Sequence, residues 1–544
     1  MVSSPRPEYG VFEGETMSRT VQNTRAYIVG GGIAGLSAAA FLVRDSQVKG
    51  ENIRIFEESR LMGGSLDAAG SSETGYTMRG GRMFEGHFGC TYDLFDSIPS
   101  ADDPAKSVTA EIMEFYEEAS WNSKSRLIRR DGTIVDSARM GFNKEDRRDL
   151  MRLMRASEKS LGAKRIRDVF NPHFFETNYW FMWCTIFAFE PWHSAVEMRR
   201  YLRRFVHLFP MMSDMSGIKL TRYNQNDSMV KPLVAWLGER GVKFEYGTKV
   251  MDLDLEEGDR ESRVSRIRCR AEGGDRLVEL GADDIVIVTN GSMTAASRLG
   301  TMKAPPELNR GARGGSWELW ERIAPKHPSF GNPAAFTANI DESKWESFTV
   351  TTRSPELKDY VEQFTRNELG RAGLLTFKDS NWLMTLNFYH NPRSIGQADG
   401  CYVWWGYGLS PDRPGNFVDK KMGDCSGEEL LAEALGHLGI EEGRDEALKS
   451  SVCIPCMMPY ITSQFMPRVP GDRPQVVPEG VGNLAFVGQY AEVPDDTVFT
   501  VEYSVRTAMT AAYRLAGVRR EPIPMYQGTR NPAVMLRAWR TMRR

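Results

Sequence analysis

The sequence predicts an α/β fold whose largest part is a Rossmann-like dinucleotide-binding domain assembled from distant segments. Three observations carry this. Tyr27, Ile28 and Val29 form a short apolar run that leads into Gly30-x-Gly32-x-x-Gly35 and a small-residue helix from Leu36 to Val43. A second apolar run, Ile53, Ile55 and Phe56, ends at Glu57, 22 residues after Gly35. Far downstream stand two more buried-type strands, DDIVIVTNGS (283–292) and NLAFVGQYAE (483–492), the second followed by the helical stretch TVEYSVRTAMTAAYRLAG.

Each part of the first unit has a reason. Gly30 allows the tight turn, Gly32 lets a pyrophosphate approach the backbone, and Gly35 lets helix and strand pack closely. The helix start, with Ala34, offers unpaired N–H groups to phosphate. Glu57, with Glu58 beside it, stands where an acid accepts hydrogen bonds from an adenosine ribose. SRLMGGSLDAAG opens a second flexible loop just beyond, with Gly64 and Ser65. The downstream strands end in Thr289, Gly291 and Ser292 and in Gly488, and Thr497 follows. GVKFEYGTKVMDLDL (241–255) reads as a hairpin region that brings Val250 near the adenine. The pattern resembles FAD proteins of the glutathione-reductase or amine-oxidase type. There is no second G-x-G-x-x-G, so no NAD(P)H domain is expected.

The chain has 544 residues, enough for two or three domains. Its net charge of -3 gives no basic bias toward nucleic acid. Seven cysteines without framework spacing suit a reducing cytoplasm. No apolar run reaches membrane-spanning length. The expected organisation is a polar arm over 1–24; a discontinuous FAD-binding domain over 25–140, 226–300 and 450–517; a helical substrate-channel segment over 141–225; a substrate-binding α/β domain over 301–449; and a basic tail over 518–544.

In the helical segment, Tyr179 to Phe189 is apolar on nearly every side, so it is core or the wall of an apolar cavity. On the next helix Glu197, Tyr201 and Arg204 share a face. That face reads either as a solvated Glu–Arg stripe or as a tyrosine made more acidic by its arginine. NWLMTLNFYHNP (381–392) alternates like a strand, with Asn381, Thr385, Asn387 and Tyr389 opposed to Trp382, Met384, Leu386 and Phe388. Its polar row could bind a carboxylate, or be the wet side of a sheet. Cys453-Ile454-Pro455-Cys456 has no second pair to make it a metal motif. The tail carries seven arginines (519, 520, 530, 537, 540, 543, 544) among Val534, Met535, Leu536 and Trp539. Such a segment either rests on an anionic membrane surface or docks on the acidic body.

Several stretches together resemble the oleate hydratases, long called myosin-cross-reactive antigens: YIVGGGIAGLSAAAFL, RGGRM, FAFEPWHSAVEMRRYLRRF, YNQNDS, DRPGNF, MPYITSQFMPR, GDRPQVVPEG and NLAFVGQYAEVPDDTVFTVEYSVRTAM. They cover about residues 25 to 515. The resemblance implies FAD without net redox turnover, and addition of water to the cis-9 double bond of an unsaturated fatty acid. It implies Tyr201 as proton donor. It makes Gly80, Gly81, Arg82 and Met83 the flavin-side loop, with Arg79 beside it among the cofactor contacts, and Gln225, Thr385 and Asn387 the substrate contacts. The glutamate that handles water in the family would fall at Met83, which cannot take a proton. Two expectations follow: Glu85, two residues on, takes over that work, or backbone and flavin hold the water without a carboxylate. The family's histidine after the T-x-N pair is met here by Asn391, with His390 one residue early. Metal is not expected, and either a monomer or a homodimer is compatible. The competing functions are a flavin oxidoreductase or isomerase of the amine-oxidase or desaturase type and a non-catalytic FAD-bound lipid carrier.

Overall fold

Ala26–Val29, the first predicted strand, is the middle of a five-stranded parallel sheet in the order Leu484–Val487, Ile285–Thr289, Ala26–Val29, Ile53–Phe56, Lys243–Glu245. The structure, a computed structural model, describes residues 23–118, 123, 126–370 and 373–544. All but the last two residues of the arm expected over 1–24 lie outside them. The strands are short, β-rich and buried on both faces, as a parallel sheet covered on each side requires. Helix Ile33–Arg44 packs against helix Val501–Leu515, and the alanines at 38, 39, 508, 511 and 512 let the two backbones come close. The second helix starts where expected, with the Thr500 side chain accepting from the Tyr503 N–H at 3.1 Å. A three-stranded antiparallel sheet, Lys249–Glu256, Arg263–Ala271 and Gly274–Glu279, follows the fifth strand.

The second sheet has seven strands: Arg298–Leu299, Ser451–Met458, Trp345–Thr352, Tyr402–Gly408, Thr385–Phe388, Leu375–Phe377 and Leu127–Ile128. This corrects two expected boundaries. Leu127–Ile128, placed with the dinucleotide domain, is an edge strand of this sheet, pairing with Leu375–Phe377. The segment from 450 also enters this sheet first, as Ser451–Met458 beside Trp345–Thr352, before Leu484–Val487 returns to the parallel sheet. Cys453 and Cys456 sit on that strand three residues apart, so they face opposite sides and join different hydrophobic clusters. The C-x-x-C is core.

The expected strand 381–392 is regular only over Thr385–Phe388, because Leu383 has a φ of 51° and interrupts the alternation. Within it the two rows behave as predicted: Leu386 and Phe388 enter one core cluster and Tyr389 the other. The row is not wet, however; Thr385, Asn387 and Tyr389 are all buried.

Residues 141–225 are helical, with Lys144–Arg155, Asn178–Phe187 and Ala195–Arg204 as the main helices. The apolar run ends at Ala188, which takes the left-handed conformation. The solvated Glu–Arg stripe is overturned: Glu197, Tyr201 and Arg204 are all buried. Glu197 meets Arg468 and Arg473, each at 3.0 Å. The tail ends in helix Pro532–Thr541, which rests on Val206–Met211 through Val534, Ala538 and Met542. The tail is therefore docked, but Leu536 and Trp539 remain exposed on its outer side.

Candidate active site

Two cavities lie along the junction of the sheets. The larger, of about 470 Å³, opens at the carboxyl ends of the parallel strands. Gly30, with φ of 100°, makes the turn; a Cβ on Gly35 would fall 2.0 Å from the Gly30 carbonyl oxygen. The second glycine loop closes over the first, with the Gly63 N–H donating to the Gly31 carbonyl at 2.8 Å. A Cβ on Gly64 would meet the Gly32 Cα at 3.1 Å. Glu57 accepts from the Gly31 and Ser59 N–H groups at 2.7 and 2.8 Å, which fixes its carboxylate at the cleft wall. Arg79 braces the loop, donating to Asp67, the Gly64 carbonyl and the Thr294 carbonyl.

Of the residues expected to hold the cofactor, Gly30, Gly32, Ala34, Glu57, Glu58, Gly64, Ser65, Arg79, Val250, Thr289, Gly291, Ser292 and Gly488 line this cleft. Gly35 acts behind it, in packing. Thr497 does not line it; it sits in the next loop, where its N–H donates to the Asp496 carboxylate and its carbonyl accepts from Thr500. Gln489, Tyr490 and Ser504 line the cleft instead, and the sequence reading missed them. The residues present fit FAD. The Thr289 hydroxyl is buried without a partner, the glycines leave backbone bare where a pyrophosphate would pass, and Glu57 suits a ribose.

The smaller cavity, of about 90 Å³, is lined by Gly81, Arg82, Met83, Phe84, Glu85, Tyr201 and Asn387 among aromatic walls that include Phe187, Trp345, Trp405 and Phe499. One side chain joins the two cavities: the Gln489 amide, at the cleft, accepts from the Phe499 N–H through Oε1 and donates to the Thr500 carbonyl through Nε2, both at the cavity. Phe499 holds a φ of 67°, a strained conformation for a side chain of its size.

Tyr201 is packed among Phe187, Phe189, Phe205 and Phe465, and its hydroxyl donates to the Val498 carbonyl. Burial, with Glu197 and Asp496 nearby, pushes its phenol well above the ordinary range. The expectation of an acidified phenol is reversed: Arg204 turns away to Glu85, 2.8 Å from its carboxylate. Glu85 also meets His87 Nδ1 at 2.8 Å and His207 Nε2 at 3.2 Å. Burial alone would raise its pKa, but the bonds from His207 and His87 and the Arg204 charge outweigh it and hold the carboxyl far below the usual range. Gln225 donates to the Arg82 carbonyl at 3.2 Å and so sits behind the flavin-side loop. Thr385 lies behind the wall, its hydroxyl 3.3 Å from that of Thr376. His390 is separated from these groups: it lines another recess, with Lys358, Glu362 and Trp404, because it follows Tyr389 onto the other side of the chain. Gly80 shapes the loop at φ of 141°.

Residues 23–513 match the model of the MCRA family. The chain belongs to the MCRA family. A relative named oleate hydratase, from Streptococcus pyogenes serotype M49 (strain NZ131), is 41% identical over 93% of this chain and 87% of its own length. Another named linoleate hydratase, from Lactiplantibacillus plantarum, is 31% identical over 95% of this chain and 98% of its own. Among solved structures, cyclohexylamine oxidase from Brevibacterium oxydans IH-35A is 13% identical, covers 91% of this chain and 99% of its own, and superposes with a TM-score of 0.52. An oxidoreductase from Methanosarcina mazei, also 13% identical, covers 90% and 99% with a TM-score of 0.51. At that identity the likeness is one of fold, and it matches the predicted α/β architecture. What this MCRA-family chain adds is the company at its cavity: Met83, Glu85 and Tyr201 face one apolar space, and among them the phenol alone holds a transferable proton at neutral pH.

Proposed function

We propose that the protein is a fatty acid hydratase that adds water across the cis-9 double bond of oleic and similar unsaturated acids, giving 10-hydroxy acids. The observation that carries it is a protonated phenol, Tyr201, set in an aromatic cavity beside the loop Gly81–Met83. An isolated alkene is a weak base, so it needs a positioned acid as water attacks the other carbon. In the reaction we propose, the Tyr201 hydrogen leaves the Val498 carbonyl and goes to one olefin carbon. Water bonds to the other carbon, and its surplus proton restores the phenol. Atoms balance as substrate plus one water, and no electrons are exchanged. FAD, when bound in the large cleft, supplies order to the loops rather than redox chemistry. Met83 contributes an apolar wall, and main-chain groups of Gly81 and Arg82 hold the water. Glu85 acts as a fixed anion for Arg204 and the two histidines. The substrate's carboxylate would lie at Asn387, with Thr385 one layer behind it.

The test is oleic acid in ¹⁸O-water with FAD and a reductant. A labelled 10-hydroxy acid formed without consuming oxidant supports hydration. Net flavin turnover would point to an oxidoreductase, and binding without product to a carrier.

The exposed side of helix Pro532–Thr541 supports a second element of this reading. Leu536 and Trp539 stand between Arg537, Arg540 and Arg543, the composition of a segment that rests on an anionic bilayer. No described helix is long and apolar enough to cross a membrane. Surface contact would let the enzyme draw substrate from lipid.

A further inference from the structure

Three arginines are buried in this protein with no ion pair to a carboxylate among the described residues, and they lie along one segment: Arg126 behind Thr385 through Thr376, Arg82 and Arg393 at Tyr389. Arg126 is fully buried, Arg393 and Arg82 nearly so. Arg126 spends its N–H groups on neutral oxygens: the Thr376 hydroxyl at 3.0 Å, the Thr185 hydroxyl at 3.2 Å, and the carbonyls of Met182 and Leu374 at 3.1 and 3.5 Å. Its Nε has no partner. Arg393 lies 4.2 Å from the Tyr389 ring centroid and donates to the Thr221 and Tyr223 carbonyls, with two nitrogens unpartnered. Arg82 donates to the Ser65 carbonyl and lies 5.7 Å from the Phe499 ring.

A buried charge is costly unless something of opposite sign meets it, and hydrogen bonds to neutral oxygens only lessen that cost. The chain nevertheless keeps three such cations around Thr385, Asn387 and Tyr389. Burial pulls each guanidinium down to about 10, which leaves all three charged at neutral pH. Arg82 and Arg393 still feel the charges of Asp67 and Asp227 from beyond ion-pair distance, whereas no carboxylate acts on Arg126.

Arg126 is the member whose connection to the cavity can be traced through hydroxyls. Thr376 Oγ1 lies 3.3 Å from Thr385 Oγ1 and 3.2 Å from Thr185 Oγ1. Thr185 and Leu374, both bound by Arg126, line the cavity with Asn387 and Tyr407. Across the sheet Thr385 faces Tyr407, and Asn387 faces Trp405. An anion held by Asn387 beside Thr185 would be one hydroxyl layer from the guanidinium. We infer that Arg126 is the built-in counter-charge for the substrate's carboxylate, so that the cavity selects free fatty acids over their uncharged analogues. Arg126 is a positioning residue here, acting through Thr376, Thr185 and Leu374. The inference rests on the hydratase reading for where the carboxylate lies.

Pairing a carboxylate with a cation about 6 Å away, at the effective dielectric of about 20 that suits protein sites, is worth on the order of 100-fold in affinity. Trp345 and Trp405 line the cavity and give a fluorescence signal for binding. The experiment titrates FAD-loaded wild type, Arg126→Met and Arg126→Lys with oleic acid, oleyl alcohol and methyl oleate. Wild type should prefer the acid at least about tenfold, within the worth of a hydrogen bond to a charged group. Arg126→Met should bring the ratio near unity while alcohol affinity holds, and Arg126→Lys should recover part of it. A merely structural arginine would weaken all three ligands together and leave the ratio unchanged, which overturns the inference. If Arg126→Met does not fold, wild type alone decides: equal affinity for acid and alcohol overturns it. Product formation separates the two readings. Acid selectivity without hydroxy product removes the hydratase and keeps the counter-charge; product without acid selectivity does the reverse.

Discussion

The Tyr201 hydroxyl donates to the main-chain carbonyl of Val498, and the next residue, Phe499, is tied through Gln489 to the dinucleotide cleft. The proposed proton donor is thus held by the same loop that reaches the cofactor cleft through Gln489. Tyr201→Phe removes the proton and one hydrogen bond while keeping the ring packing. Hydration should fall by about 100- to 10,000-fold, the usual worth of a general acid. Stability should change by only about 1 kcal/mol, the net value of one hydrogen bond. Product assays beside thermal melts check both. Because burial raises this phenol, the wild-type rate should not fall through Tyr201 ionisation at any pH up to 10. Above about pH 10 the unfolded chain ionises the phenol first, so stability falls as pH rises further.

Glu85 is the second test, because its position invites a role in water activation that its partners oppose. A carboxylate held ionised by Arg204, His207 and His87 is a weak base. Glu85→Gln, measured at full FAD occupancy, should keep hydration within a few-fold of wild type, whereas a large loss would restore it to the mechanism. The cost should appear in stability, at about 3–5 kcal/mol at neutral pH, since Arg204 is left buried without its anion. The sign of the pH effect follows from the lowered pKa. Unfolded, the carboxyl titrates near pH 4.3, and folded it stays ionised below that. Its stabilisation is complete above that range and is lost as pH falls, so melting curves of variant and wild type should converge in acid.

The cleft makes a prediction that needs no turnover. Gly32 faces the Gly64 loop, with 3.8 Å from its ideal Cβ position to the Gly64 Cα. A Cβ there meets no closer protein atom, and a valine side chain fills the space a pyrophosphate would take. Gly32→Val should weaken FAD binding by at least about 100-fold, equivalent to about 2.7 kcal/mol, with the far-ultraviolet dichroism unchanged. Flavin absorbance per mole of purified protein is the measurement.

The contrast between Gly32 and Glu197 explains what the sequence could and could not reveal. A glycine whose Cβ would strike backbone or ligand is required by local geometry, so G-x-G-x-x-G with its strand, helix and acid placed the cleft correctly. The same holds for Thr289, Gly291 and Gly488 at strand ends. Glu197 has helical spacing to Arg204 and looks solvated, yet its partners are Arg468 and Arg473, some 270 residues downstream. No window along the chain contains that information. Arg126 was missed for the same reason: in SRLIRR it looks like one more surface cation, and only the seven-stranded sheet places Thr376 and Thr185 around it. Tyr201 was identified through family resemblance, while its raised phenol required seeing Phe187, Phe189 and Phe465 close around the ring. Thr497 failed because a loop that bends at Asp495 and Phe499 carries no spacing rule.

The tail supplies the last prediction. Helix Pro532–Thr541 buries Val534 and Ala538 against the body and leaves Leu536 and Trp539 outside. Asn531 caps its start, accepting from the Ala533 and Val534 N–H groups, so the helix is formed before any lipid is present. Arg543 stacks at 4.5 Å from the Trp539 ring, holding charge and apolar surface together. A preformed helix with this face should bind vesicles containing anionic lipid and ignore neutral ones. Leu536→Asp with Trp539→Asp removes the apolar contact without touching Val534, Ala538 or Met542, so the docked helix and the activity toward dispersed fatty acid should persist. Vesicle co-sedimentation should fall at least about tenfold, since each buried apolar side chain is worth about 1.5–3 kcal/mol. Raising salt should weaken the wild type, because the arginines contribute only within a Debye length of about 10 Å at 0.1 M. Equal sedimentation of wild type and double variant would leave the helix as a docked terminus and nothing more.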